Sequence, residues 1–187
     1  MIFKHISARV PGTHEHFLIN PYGLFYEEVT ASNLVKIDIH GKIVAHSEWG
    51  VNEAGFIIHG AVHAARPDVQ CVIHHHGPAA TAVGSLECGL LPLSLEATQF
   101  YERVAYYDFQ GISDDRAECE AIAKALGKHK VLFMRNHGVL ITGLTIGEAL
   151  HLAVNLEQAC KVQLAILSTG APYQLIPPEV ARHAVAQ

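Results

Sequence analysis

Cys71-Val72-Ile73-His74-His75-His76-Gly77-Pro78 decides how this chain is read. Three small or branched apolar residues form a short strand, and Gly77-Pro78 turns the chain out of it. On extended backbone, residues two apart share a face, so His74 and His76 converge while His75 points the other way. On a helix the same two would diverge. A second segment completes the picture. Val131 to Met134 and Val139 to Thr142 read as two apolar strands joined by the tight turn Arg135-Asn136-His137-Gly138. A ligand in that turn can reach the point on which His74 and His76 converge. Three neutral imidazoles suit Zn²⁺ and also Fe²⁺, Mn²⁺ or Co²⁺, and an open fourth position is what a catalytic site needs. The same residues also admit a plainer reading, a solvated strand end and an ordinary turn.

Working outward, Ala54 to Ala65 carries Phe56, Ile57, Gly60, Ala61 and Ala64 at helical spacing, and Arg66-Pro67-Asp68 stops it. Pro78 suits the first position of a helix through Val83. Upstream, Phe17 to Asn20 is a short apolar run ended by Pro21-Tyr22-Gly23. Leu34 to His40 alternates with period two, and His40-Gly41-Lys42 reads as a hairpin-like turn into Ile43-Val44-Ala45. Downstream, Ser113 or Asp114 caps a helix through Leu126, with Gly127 at its end. Thr145-Ile146-Gly147-Glu148 is a capping box that opens the longest helix, to about Leu167. The segment 170–187 reads as a surface tail. Strands alternating with helices give an α/β layered architecture. Short strand-to-strand turns favour a largely antiparallel sheet. With no linker or repeat, 1–187 reads as one domain.

Composition narrows the function classes. The chain has 187 residues, half of them apolar, and a formal net charge of -5. A weakly acidic surface argues against binding nucleic acid by phosphate neutralisation. No run reaches the 18 apolar residues that span a bilayer, and the N-terminus has no signal core, so a cytoplasmic location without membrane attachment is expected. Cys71, Cys88, Cys119 and Cys160 are widely spaced, which excludes a cysteine-rich zinc module. Histidine is in excess, at 14 residues. Besides His74, His76 and His137, with His75 between the first two, ten lie in loops, at strand ends and on helix faces. There a hydrogen-bonded or exposed ring needs no further reason. His59 and His63, four apart on one helix, are the other metal-compatible pair.

Two segments make the chain similar to a known family. Ala54 through Ala80, with its helix, Arg-Pro-Asp stop and His-x-His strand, and Arg135-Asn136-His137-Gly138-Val139-Leu140 resemble the class II aldolase/adducin family. The likeness runs from about His5 to Leu167. It implies a three-layer fold with a central, mostly antiparallel sheet flanked by helices. It also implies a homo-oligomer, a tetramer, and metal held by His74, His76 and His137, with Zn²⁺ foremost. In such aldolases the metal is a Lewis acid for a keto-sugar phosphate and a helix glutamate shuttles the proton. Here that position is Gly55. Glu53, Ala54, Lys4, His5 and Tyr22 replace residues that cradle phosphate, so cleavage of a sugar phosphate is not carried over. The segments around Asn52, Cys88 and Val104 lie closer to the adducin-head branch and its bacterial relatives, and the family's N-terminal helix is expected to be missing or short. Glu96 and Tyr107, with Tyr106, are the candidate proton-transfer groups. Three functions stay open: a metal-dependent lyase on a small hydroxy- or keto-compound, a non-catalytic oligomerisation module like the adducin head, and a non-haem iron oxygenase.

Overall fold

The computed structural model describes residues 4–111 and 116–187. Among the described residues, seven strands form one sheet: β1 (His5–Arg9), β2 (His16–Ile19), β3 (Val35–Asp38), β4 (Cys71–His75), β5 (Val104–Tyr107), β6 (Val131–Met134) and β7 (Gly138–Gly143). Their spatial order is β3-β2-β1-β4-β7-β6-β5. Only β5 and β6 pair in parallel; the other neighbours are antiparallel, as the short turns between apolar runs imply. The parallel pair is bridged by a helix, the crossover that such a pair requires.

Helices cover both faces. On one side lie α1 (Glu53–Ala65) and α4 (Arg116–Leu126), which pack on each other and on Val72, Leu132, Met134 and Leu140 of the sheet. On the other lie α2 (Pro78–Ser85), α3 (Leu95–Thr98) and α5 (Ile146–Ser168), over Cys71, Ile73, Phe133, Val139 and Ile141. β4, β6 and β7 are buried on both faces, which is why they read as continuous apolar runs. A third, smaller core gathers Phe17, Ile19, Val35 and Ile37 under Phe56.

Local signals account for most boundaries. Thr145 caps α5 by accepting from the Glu148 N–H at 3.0 Å, while the Glu148 carboxylate turns back to the Leu144 N–H at 2.6 Å. The proposed cap at Ser113 or Asp114 lies outside the described residues. Two expectations differ from the fold. The turn at Gly41 returns the chain, but Ile43 pairs with Ile37 through a single bridge and no strand follows. Its residues Ile43 and Val44 remain exposed, so no second face is buried to hold a ladder. The segment 170–187 does more than cover the surface: Pro177-Pro178 starts a helix, α6 (Pro178–Ala186), which buries Ala181 and packs against α3. No helix among the described residues is long and apolar enough to cross a membrane.

Candidate metal centre

β4 ends at the edge of the sheet's packed interior with His74 opposite Leu140 of β7. Two residues on, His76 returns to the same side. The turn after β6 brings the third ring. Asn136 takes a left-handed conformation (φ 59°), which lets Arg135–Gly138 reverse within four residues. Arg135 pins the turn from outside. Its guanidinium donates to the Gly84 and Leu86 carbonyls at 3.0 and 2.8 Å, and lies 4.7 Å from the Tyr106 ring centre. Gly138 is required for close approach: a Cβ there would fall 2.6 Å from the His75 carbonyl and 2.7 Å from the His76 ring.

The three rings stand in a triangle with centroids 4.9 Å apart on every side. One nitrogen from each of His74, His76 and His137 lies within 4.8 Å of the others. His74 Nε2 and His76 Nε2 are 3.0 Å apart. Two imidazole nitrogens on one tetrahedral Zn²⁺ would be separated by about 3.3 Å, so the donor set fits a divalent ion of that size. His74 is 3% exposed, and its Nδ1 donates to the Val139 carbonyl at 3.0 Å. Because a carbonyl only accepts, Nδ1 carries the proton and the Nε2 lone pair faces the cluster. Burial first, then the neighbouring imidazoles, holds the His74 pKa well below its ordinary value. Burial and His137 lower His76, and burial lowers His137. Neutral rings with converging lone pairs are the form a metal takes up.

His75 points away, as the strand alternation predicts. Its Nδ1 accepts from the Gly77 N–H at 2.9 Å and so shapes the turn into α2. Glu157 of α5 completes that turn. Its carboxylate accepts from the Ala79 and Ala80 N–H groups at 3.2 and 3.0 Å, capping a helix whose own N-cap, Gly77, has no side chain to do so.

The other named candidates stand on α3 and β5. Glu96 is half-buried in the first turn of α3, which packs on α5 and α6. Tyr107 stands opposite Met134 and packs into the core under α4. Tyr106 lies on the opposite face; its oxygen accepts from the Leu90 N–H at 2.9 Å and its ring stacks on Phe133. The three-imidazole group includes none of these. A cleft of about 660 Å³ between α1 and α4, lined largely by Phe56, Ile57, Ala61 and Ala64, also lies apart from the cluster.

His5 and the second metal-compatible pair, His59 and His63, are buried at 4%, 0% and 2% exposure, and among the described residues none of them joins the three-imidazole group. Ser7 Oγ lies 2.7 Å from His59 Nδ1 and 2.9 Å from His63 Nε2. Arg9 donates to the His63 carbonyl at 3.1 Å, and Phe17 stacks on the His63 ring. Burial, then the charge of His76, pushes His5 down to about 4; burial, then Arg9, pushes His63 down to about 3. The available signal was the four-residue spacing of His59 and His63 flanking Val62, a fully buried residue of α1.

A mostly antiparallel sheet whose strand ends bring three neutral imidazoles together defines an α/β protein with a candidate divalent-metal centre. Residues 2–164 match the family described as the Class II Aldolase and Adducin N-terminal domain, and the chain belongs to that family. It is 48% identical over 180 residues to alpha-adducin of Rattus norvegicus, covering 94% of this chain and 24% of that protein. The chain therefore spans about a quarter of the adducin's length. The solved aldolase II superfamily protein from Pseudomonas syringae is 45% identical, with a TM-score of 0.94, covering 100% of this chain and 75% of that one. The L-fuculose 1-phosphate aldolase from Glaciozyma antarctica PI12 is 32% identical with a TM-score of 0.87, covering 98% and 71%.

Proposed function

We propose that this protein is a metal-dependent, lyase-like enzyme acting on a small hydroxy- or keto-compound, with His74, His76 and His137 as the metal ligands. The observation that carries the reading is the convergence of three neutral imidazoles, with His74 oriented by the Val139 carbonyl. A divalent ion held there, Zn²⁺ foremost, would act as a Lewis acid on a carbonyl oxygen. The chain's own residues set the rest. The Val139 carbonyl fixes the His74 tautomer, and the Arg135 anchor holds the turn that presents His137. Gly55 offers no side chain for proton transfer, which separates this site from sugar-phosphate cleavage. The aldolase from Glaciozyma antarctica supports lyase chemistry on this fold, without supplying the substrate.

The test is elemental analysis of protein purified without chelator or affinity metal, followed by turnover on a panel of small α-hydroxy carbonyl compounds and keto-acids. About one divalent metal per chain is expected, lost together with turnover in His76→Ala and His137→Ala. Metal without turnover on the panel would sink the reading.

A second reading is a non-catalytic oligomerisation module, and a specific surface favours it. Ile146, Leu150 and Val154 repeat every four residues along α5 and are exposed, with Leu144 beside them. Such a stripe on a helix fits burial against a second copy, as in a homotetramer. Sedimentation of wild type and Leu150→Glu tests it: an oligomer that survives the charge would exclude this face.

A further inference from the structure

His5 of β1 stands directly opposite His74 of β4. Residues opposed in an antiparallel pair share a face, so the His5 ring lies beside the three-imidazole cluster, on the side of α1. It is 4% exposed, and neither of its ring nitrogens has a hydrogen-bond partner. An imidazole has one N–H to give and one lone pair to receive. A buried polar atom left unmatched costs about 1–3 kcal/mol, and such groups persist where chemistry or a bound molecule uses them.

Gly55 clears the space that this ring fills. A Cβ at position 55 would come within 2.7 Å of His5 Nε2 and closer still to Nδ1 and Cε1. Position 55 therefore presents no side chain, and an imidazole from β1 stands there instead. Behind it His59, whose ring is edge-on at 6.0 Å, also has an unpartnered buried nitrogen, Nε2. Its Nδ1 continues through Ser7 Oγ to His63 Nε2. Unmatched donors and acceptors thus gather between His5 and His59, at the inner end of a hydrogen-bonded imidazole–hydroxyl–imidazole chain.

We propose that His5 is the proton-transfer residue of this centre, acting on a small α-hydroxy carbonyl compound held at His74, His76 and His137. This rests on the metal-dependent reading above. In the step, a C–H bond beside the carbonyl breaks and its electron pair forms a C=C bond. The carbonyl π pair moves onto oxygen, and the proton ends on the lone-pair nitrogen of His5. The reverse step returns the proton, so no oxidant or reductant enters.

The test uses the full chain loaded with Zn²⁺ and hydroxyacetone as probe in D₂O. Exchange of the probe's C–H protons is read by ¹H NMR, bound zinc by elemental analysis, and ring nitrogens in ¹⁵N-histidine-labelled protein. Wild type is expected to exchange. His5→Gln should keep its zinc and lose exchange by about 100-fold, the low end for a positioned acid–base group. Hydroxyacetone should move the pair of ring resonances that His5→Gln lacks. A carboxylate placed in the vacated space, in His5→Ala with Gly55→Glu, should regain exchange over His5→Ala alone. The proposal is overturned if His5→Gln keeps its zinc and exchanges within threefold of wild type. It is equally overturned if hydroxyacetone leaves the His5 resonances unmoved, a readout on wild type that needs no variant to fold. Zinc-loaded wild type that exchanges nothing overturns the metal-dependent reading and this assignment together. Exchange in both wild type and His5→Gln removes His5 alone.

Discussion

Lowering the pH from 7.5 to 5 should destabilise the protein far more than its exposed charges would. His5 and His63 have folded-state pKa values of about 4 and about 3, against 6.5 in the unfolded chain. Burial disfavours the charged ring, so between these values the unfolded state binds more protons than the folded one. The stabilisation these groups give is full above 6.5. It is lost as the pH falls from 6.5 toward each folded value. At pH 5 each costs about 2 kcal/mol, so the pair removes about 4 kcal/mol of a stability that is typically 5–15 kcal/mol. His59 and His74, lowered in the same direction by burial, steepen the fall. Urea unfolding followed by circular dichroism at pH 7.5, 6 and 5 measures it. In His63→Gln the slope with pH, rather than the absolute stability, should lose one proton's share. A stability at pH 5 within about 1 kcal/mol of that at pH 7.5 would refute buried neutral histidines.

Other perturbations probe separate contacts. Gly55→Ala should destabilise by about 1–2 kcal/mol in urea unfolding, because overpacking against the His5 ring outweighs the helix propensity of alanine; in a His5→Ala background the sign should reverse. Glu157→Ala should cost about 1–2 kcal/mol by uncapping α2, and an unchanged urea midpoint would deny the carboxylate that role. Zn²⁺ at one hundred times its dissociation constant should add about 2.7 kcal/mol of stability to wild type and nothing to His137→Ala, read as Tm shifts reversed by EDTA.

The parts legible in the sequence are those set by local rules. Strand alternation put His74 and His76 on one side and His75 on the other. Turn chemistry placed His137, and side-chain capping placed the start of α5 at Thr145. β1 defeats the same rules. Its polar residues His5, Ser7 and Arg9 face inward, while Ile6 and Ala8 are half-buried on the other side. Pattern reading sends apolar residues to the core, so it turns such a strand over. Their surroundings come from elements distant in sequence: β4 puts His74 opposite His5, across 69 positions of chain, and α1 supplies the partners of Ser7 and Arg9. The roles of Glu157 and Gly55 are hidden for the same reason: each acts on an element distant in sequence.

The His-His-His run is best understood as two sites on one strand end. The faces of β4 separate its residues by parity. His74 and His76 face the α1 side, together with His5 and the Ser7 network. His75 faces α5, where it shares the Gly77 turn with Glu157. The outer two histidines need this middle one. A rigid turn at Gly77 fixes where β4 ends, and so how far His76 reaches toward His137. Gly77 leaves room for both groups, since a Cβ there would meet the Glu157 carboxylate and come within 2.9 Å of the His75 ring. On the far side of the cluster, Gly138 makes the matching approach of β7 to His75 and His76. The imidazole triangle is therefore held by two glycines, a carboxylate and an arginine that never enter it. Their contacts fix the ring positions from outside the triangle.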